Sequence, residues 1–473
     1  MKRPAKAKVT RTQGVQRRQT RRQGGRGERL LKRAICLAGG GPAAGLHIGV
    51  LEGLEGKGIK FNRPSVVWAL SCIGAWVGII YNQATTNREV AETYEFFHKV
   101  FRNNKSFQSF PTNTIFAPDW AGNAEAMWDY LLEPRNYKNA FLPREIMKSF
   151  MHTMSALREM SAIRRRRRQL NGGEEEVEEF AKFSEGDFNR WVLNDVLAVN
   201  PVVRLLTGMV YKSEITGLAR LYYPDSKFLK DIKFGELNKL DERKQPTKPY
   251  IFHNAWNLTE QELELFSNRD PGPPSNETYE RITPASLCAC SALPFVEQTV
   301  VIDGQTYCEG ALKDTVNFRD LLKDHHNPPD DPLDEIWISR IVDADQVRPP
   351  KDLHDALANL CQLFAATVGE DDVKLFLCHV CDNQNDAKAF KGTIVGIPTS
   401  NDITYEWSHR NLDAGRRNGR AAAEAIFEEY RRQGGPRPHG TLRIIGEPER
   451  TARRREITEA RREEYARWRD PAW

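Results

Sequence analysis

The chain has 473 residues, 40% hydrophobic and 28% charged. That is enough apolar material for a large core, and it makes a small disulfide-stapled scaffold unnecessary. The net charge of +5 is uneven: residues 1–33 carry 13 Lys or Arg against one acid, Glu28, and the rest holds 56 basic and 63 acidic residues.

The basic arm has no apolar stretch of the kind a secretory signal needs. Its composition cannot build a core. It reads as a solvated disordered tail, as an Arg-rich transit segment, or as a contact for anionic lipid or nucleic acid. After it, Arg33 to Leu37 reads as a short apolar strand that runs into Gly39-Gly40-Gly41 and Pro42. Proline suits the first turn of a helix, here expected to about Lys57. Gly41, Gly45, Gly49 and Gly53 recur every fourth residue, a smooth ridge that would let this helix lie close to a sheet. Val66 to Leu70 is a second strand, and Ile73 to about Ala84 a second helix. The densest apolar part of this stretch, Val66 to Tyr81, is too short for a bilayer, which needs about 20 apolar residues. Strand, glycine turn, helix, strand, sharp turn, helix is the opening of an α/β sheet with covering helices.

From about Arg88 to Lys248 the pattern is mostly helical. The segment IRRRRRQLNGGEEEVEEF, Ile163 to Phe180, reads as an exposed turn between charged helix ends. Tyr250 to Trp256 is strand-like, and PASLCACSALPF, Pro284 to Phe295, reads as a short buried helix. Val300 to Cys308, turning at Asp303-Gly304, reads as a hairpin that delivers Glu309-Gly310-Ala311. Glu335 to Val342 is a further strand. Asp352 to Val368 and Trp407 to Tyr430 are helices, and the last forty residues read as charged and helical.

Eight cysteines are scattered along the chain, which points to a reducing, cytoplasmic compartment. Cys378 and Cys381 form one CxxC. A structural zinc wants a second pair, and Cys288/Cys290 is a poor one.

Glycines between a strand and a helix leave backbone N–H groups aimed outward, toward a phosphate or a developing oxyanion. A dinucleotide site expects an acid at the end of the next strand, but that strand ends at Leu70. An oxyanion site expects a nucleophile on the next sharp turn, and Cys72 sits there, followed by Gly74. The helix beginning at Ile73 is expected to favour its thiolate. The bland alternative is a small buried hydrophobe. His47, His253, His325 and His326 give no evident base. Glu309, at the end of the hairpin, is the better candidate.

These stations, in this order, resemble the patatin-like phospholipase family. The loop is GGGPAAGLHIGVLEGLE, Gly39 to Glu55, and the elbow is SCIGAWVGIIY, Ser71 to Tyr81. PASLCACSALPF matches the Ala/Ser-rich segment ahead of the acid, and CEGALKD, Cys308 to Asp314, fills the acid's place. In this alignment Cys72 stands for the family's serine and Glu309 for its aspartate. Leu70 stands for the first elbow glycine, and Ala43-Ala44 for an Arg-Gly pair. The resemblance implies a three-layer α/β/α sandwich with a helical insertion. Residues 1–33 would be the disordered arm, 34–430 the domain, about 88–248 the insertion, and 431–473 a charged extension. It implies a lipid acyl hydrolase in which Cys72 attacks, Glu309 is the base, and Gly39, Gly40 and Gly41 form the oxyanion hole. Ser71, Gly74 and Gly310 would support the turns. No metal or organic cofactor is implied. The partners expected are a lipid or other acyl ester and, through the basic arm, the surface of an anionic membrane, with no specific nucleic acid. A catalytically inactive relative that binds lipid or a protein is the alternative.

Overall fold

The computed structural model describes residues 31–101, 119–141 and 200–447, with breaks at 221–226, 272–274, 276, 327–331, 348, 387–388, 399–403 and 439, and helical positions between 143 and 158. Residues 1–30 of the basic arm, the arginine block and the charged tail beyond Glu447 lie outside the described residues.

The chain opens as β1 (Arg33–Leu37), α1 (Ala44–Gly56), β2 (Val66–Leu70), α2 (Ile73–Gln83) and α3 (Glu89–Val100). Helices α4 (Trp120–Leu132), α5 (Pro134–Ala140) and α6 (Pro201–Lys212) follow, then β3 (Gly217–Ala219) and α7 (Lys227–Lys230). Next come β4 (Tyr250–Asn257), β5 (Glu262–Ser267), β6 (Glu280–Arg281), α8 (Pro284–Ala289), β7 (Phe295–Glu297), β8 (Val300–Ile302) and β9 (Gln305–Glu309). The order ends with α9 (Leu321–His325), β10 (Glu335–Ser339), α10 (Leu353–Asp382), β11 (Thr393–Ile397), α11 (His409–Arg432) and β12 (Arg443–Ile445).

The main sheet runs β12-β11-β10-β1-β2-β4-β5-β6, parallel from β12 to β4, with β5 antiparallel to β4. The inner strands are buried on both faces, which is why they read as apolar runs without alternation. Their side chains nevertheless divide by pleat. Ile35 and Leu37 join one core, with α1, α2 and α11, and Ala34 and Cys36 join the other, with α9 and the second half of α10. The result is the three-layer α/β/α fold expected from the sequence.

One detail of the sheet positions the site. Strand β4 outruns β2. Along one edge its residues Tyr250 to His253 pair with β2, and Ala255 to Asn257 pair with β9, antiparallel. Strand β2 runs up to that junction and β9 runs down to it. Their C-terminal ends, Leu70 and Glu309, therefore converge beside Asn254.

Three expectations are corrected. The glycine ridge of α1 faces a helix and not the sheet. Methyl groups at Gly45 and Gly49 would strike the Leu412 and Arg416 carbonyls of α11, whose own Gly415 and Gly419 meet Gly45 and Leu46. Gly41 lies outside that helix, in a turn at φ +57°. Helix α10 continues fourteen residues past Val368. The sheet also continues past Tyr430: β12 adds its outermost parallel strand, and Glu447 makes a two-pronged ion pair with buried Arg340 at 3.0 and 3.1 Å. Those residues were expected to be helical.

Candidate active site

Cys72 sits between β2 and α2 at φ 47°, ψ −123°. This left-handed backbone is costly for a residue with a side chain, by about 1–3 kcal/mol. It is the strained strand-to-helix turn that lifts a nucleophile clear of a sheet. The surroundings hold it there. Ser71 N–H donates to the Leu37 carbonyl at 3.1 Å, Gly74 N–H to the Ser71 carbonyl at 2.9 Å, and Cys72 N–H to the Cys290 sulfur at 3.0 Å. Gly74 is required, because a methyl group there would overlap the Leu37 carbonyl. Leu70 is accommodated one turn further along α2 by Gly78, where a methyl group would meet its branched end.

The Ser71 side chain points away from the site. Its hydroxyl donates to Asn254 Oδ1 at 2.8 Å and also lies 3.3 Å from the Asp314 carbonyl. Asn254 in turn donates to that carbonyl at 2.7 Å, and Gly310 packs so closely on Asn254 that no side chain fits. This buried polar knot ties the elbow to the turn that carries Glu309. Asn317 adds a bond to the Leu70 carbonyl at 2.9 Å. The sequence reading missed Asn254 and Cys290; an Asn in the middle of the apolar YIFHNAW strand was the available signal.

The Cys72 thiol and the Glu309 carboxylate are close neighbours that act on each other's titration, and both are buried. Burial raises Glu309 to about 7, and the neighbouring Cys72 thiol partly opposes that rise. Burial, followed by the Glu309 charge, pushes the Cys72 thiol well above its usual value, with only the Ile73 N–H acting against it. This reverses the expectation of a helix-stabilised thiolate. One helix N-terminus, worth about 0.3–2 kcal/mol, loses to desolvation plus a neighbouring carboxylate. The resting pair is a thiol beside a carboxyl group that titrates near neutrality.

Both groups line a cavity of about 80 Å³, with Gly39, Gly40 and Gly41 on one side and Trp76, Phe364, Tyr405 and Trp407 among its apolar walls. The Gly39 N–H is already committed to the Thr315 carbonyl at 3.1 Å, so Gly39 shapes the loop but does not supply an oxyanion donor. Among the described residues no acceptor meets the N–H of Gly40 or Gly41. Among the described residues no histidine lines the cavity. His47 bridges the Ala38 carbonyl and Ser339, both at 2.9 Å, and burial lowers its pKa to about 4. His253 lies 3.2 Å from Ser286 Oγ and is lowered likewise. His325 is buried beside Tyr250, and His326 lies 3.2 Å from the Ala389 carbonyl. Among the described residues no cluster of three or more His, Cys, Asp or Glu is placed to hold a metal. Cys378 and Cys381 are exposed on α10.

A family model described as Patatin-like phospholipase matches residues 35–322. No curated protein matches the sequence. Among solved structures, the crystal structure of VipD from Legionella pneumophila is similar at 12% identity and a TM-score of 0.33, covering 84% of this chain and 67% of that one. No helix among the described residues is long and apolar enough to cross a membrane.

Proposed function

The chain belongs to the patatin-like phospholipase family, and on that premise we propose that it is a lipid acyl hydrolase whose nucleophile is Cys72 and whose base is Glu309. The observation that supports this reading is the placement of the buried thiol and the buried carboxyl group side by side on one cavity with the glycine loop. Cys72 Sγ attacks the ester carbonyl carbon while its proton passes to the Glu309 carboxylate. The carbonyl π pair moves to oxygen, and the resulting oxyanion is held by the Gly40 and Gly41 N–H groups. Collapse expels the alcohol, which takes the proton from Glu309, and leaves an acyl thioester on Cys72. Water, deprotonated by Glu309, then releases the acid and restores the thiol. Proton transfer concerted with attack suits a thiol that does not ionise on its own.

Mass spectrometry of the protein quenched during turnover of a short acyl ester tests this. An acyl group on the Cys72 peptide is expected, and acylation elsewhere or nowhere contradicts it. Ser71→Ala separates a supporting role for Ser71 from a catalytic one. It is expected to cost about 1–3 kcal/mol in a denaturant melt, because it leaves buried Asn254 and Asp314 groups short of a partner. The acyl adduct on Cys72 is expected to survive it.

The high thiol pKa favours a second reading, a fold retained for binding lipid or protein without turnover. In that case no adduct forms on Cys72 with any acyl ester.

A further inference from the structure

Tyr405 lies in the segment that leads into α11, at a position that no sequence motif marks. Its ring lines the cavity together with Cys72, Glu309 and Gly41. A methyl group added at Gly41 would collide with the Tyr405 phenol oxygen, so the hydroxyl rests against the backbone of the glycine loop. Its backbone is clamped on both sides by one buried residue, Asn411. That residue accepts from the Thr404 N–H at 3.0 Å and donates to the Glu406 carbonyl at 2.9 Å.

Within the glycine loop the Gly39 N–H is bonded to Thr315, which leaves those of Gly40 and Gly41 for an oxyanion. A phenol O–H is a strong donor with a fixed reach, and tyrosine is one of the side chains that serve at such sites. Burial, together with the nearby Cys361, Cys72 and Glu309, keeps this phenol protonated well above its usual range. It is therefore a donor at every working pH.

We propose that the Tyr405 hydroxyl donates a hydrogen bond to the oxyanion formed when Cys72 adds to an ester carbonyl, which makes Tyr405 a third catalytic residue. The proposal rests on Cys72 being the nucleophile. The phenol keeps its proton throughout. The thiol proton goes to Glu309 and then to the leaving alcohol, as above.

Tyr405→Phe is the test, because it removes one oxygen and keeps the ring packed against Gly41. The readouts are kcat and KM for a short p-nitrophenyl ester, and inhibition by an alkyl trifluoromethyl ketone, which forms a tetrahedral adduct with a thiol. The expected result is a fall in kcat of about 100-fold, the loss typical of one oxyanion donor, with KM within about twofold. The ketone should weaken by a similar factor. Equal kcat and equal inhibition in the two proteins would overturn the role of Tyr405 and leave the thiol–carboxyl pair standing. A change in KM alone would assign Tyr405 to substrate binding and overturn the proposal. Wild-type protein that neither turns over the ester nor forms the adduct would overturn the nucleophile and the phenol together.

Discussion

Glu309→Gln is expected to lower kcat for ester hydrolysis by about three orders of magnitude, within the range of about 10²–10⁴ contributed by a positioned base. Glutamine fills the same space beside the thiol, but it cannot take the proton. The pH dependence follows from the same group. Glu309 works as a base only when ionised, and burial has raised it to about 7. The wild-type kcat/KM should therefore climb as pH rises through about 7, and the residual activity of the variant should lack that step.

Stability should move the other way. Between the ordinary value of 4.5 and the folded value of about 7, the folded chain holds a proton that the unfolded chain has released. Stability thus falls as pH rises through that window, by on the order of 3 kcal/mol, and is untouched below it. Glu309→Gln abolishes this loss. Denaturant melts should show the variant gaining on wild type above pH 7 and showing no such gain at about pH 4. A variant that loses stability equally at both would contradict the buried, raised carboxyl group.

Arg340→Ala is expected to destabilise the fold by about 3–5 kcal/mol, the cost of leaving a buried partner charge uncompensated. Arg340 follows β10 and joins three parts of the chain. It reaches the Gly369 carbonyl of α10 at 3.3 Å and both oxygens of Glu447 after β12. Glu447 itself fills the space that any side chain at Gly396 would need. Replacing both partners with apolar residues of similar size, Arg340→Met with Glu447→Leu, should recover most of the loss. Chemical melts of the two variants read the difference directly. If the single variant melts like wild type, the ion pair is not the staple that binds β12 to the sheet.

The parts of this account legible in the sequence are those written locally. The strand, glycine turn and helix around Gly39, the elbow at Cys72 and the hairpin ending at Glu309 each announce themselves through apolar runs and turn residues. The convergence of Cys72 and Glu309 follows from the registers of β2 and β9 along β4, which no local pattern encodes. Helix α10 was expected to end at Val368, just before Gly369-Glu370-Asp371-Asp372. It continues because Gly369 lies where Thr315 and Arg340 approach, and because Asp372 has work to do, accepting the Thr315 N–H at 2.7 Å. Strand β12 is three residues long in a charged stretch, and it is recognisable only by the edge it completes. The thiol was misjudged because a sequence displays the helix that follows Cys72, whereas desolvation depends on everything packed around it. Gly39 was misjudged for a similar reason, since its acceptor, the Thr315 carbonyl, is far away in the chain.

The proposed chemistry stands or falls with Cys72 as a working nucleophile. Hydrolysis of a panel of acyl esters and thioesters by the purified chain, beside Cys72→Ala and Cys72→Ser, tests it most directly. Turnover by wild type that disappears in the alanine variant is the expected result. No turnover by wild type, with activity arising only when serine replaces Cys72, would contradict it and leave a scaffold that has given up its chemistry.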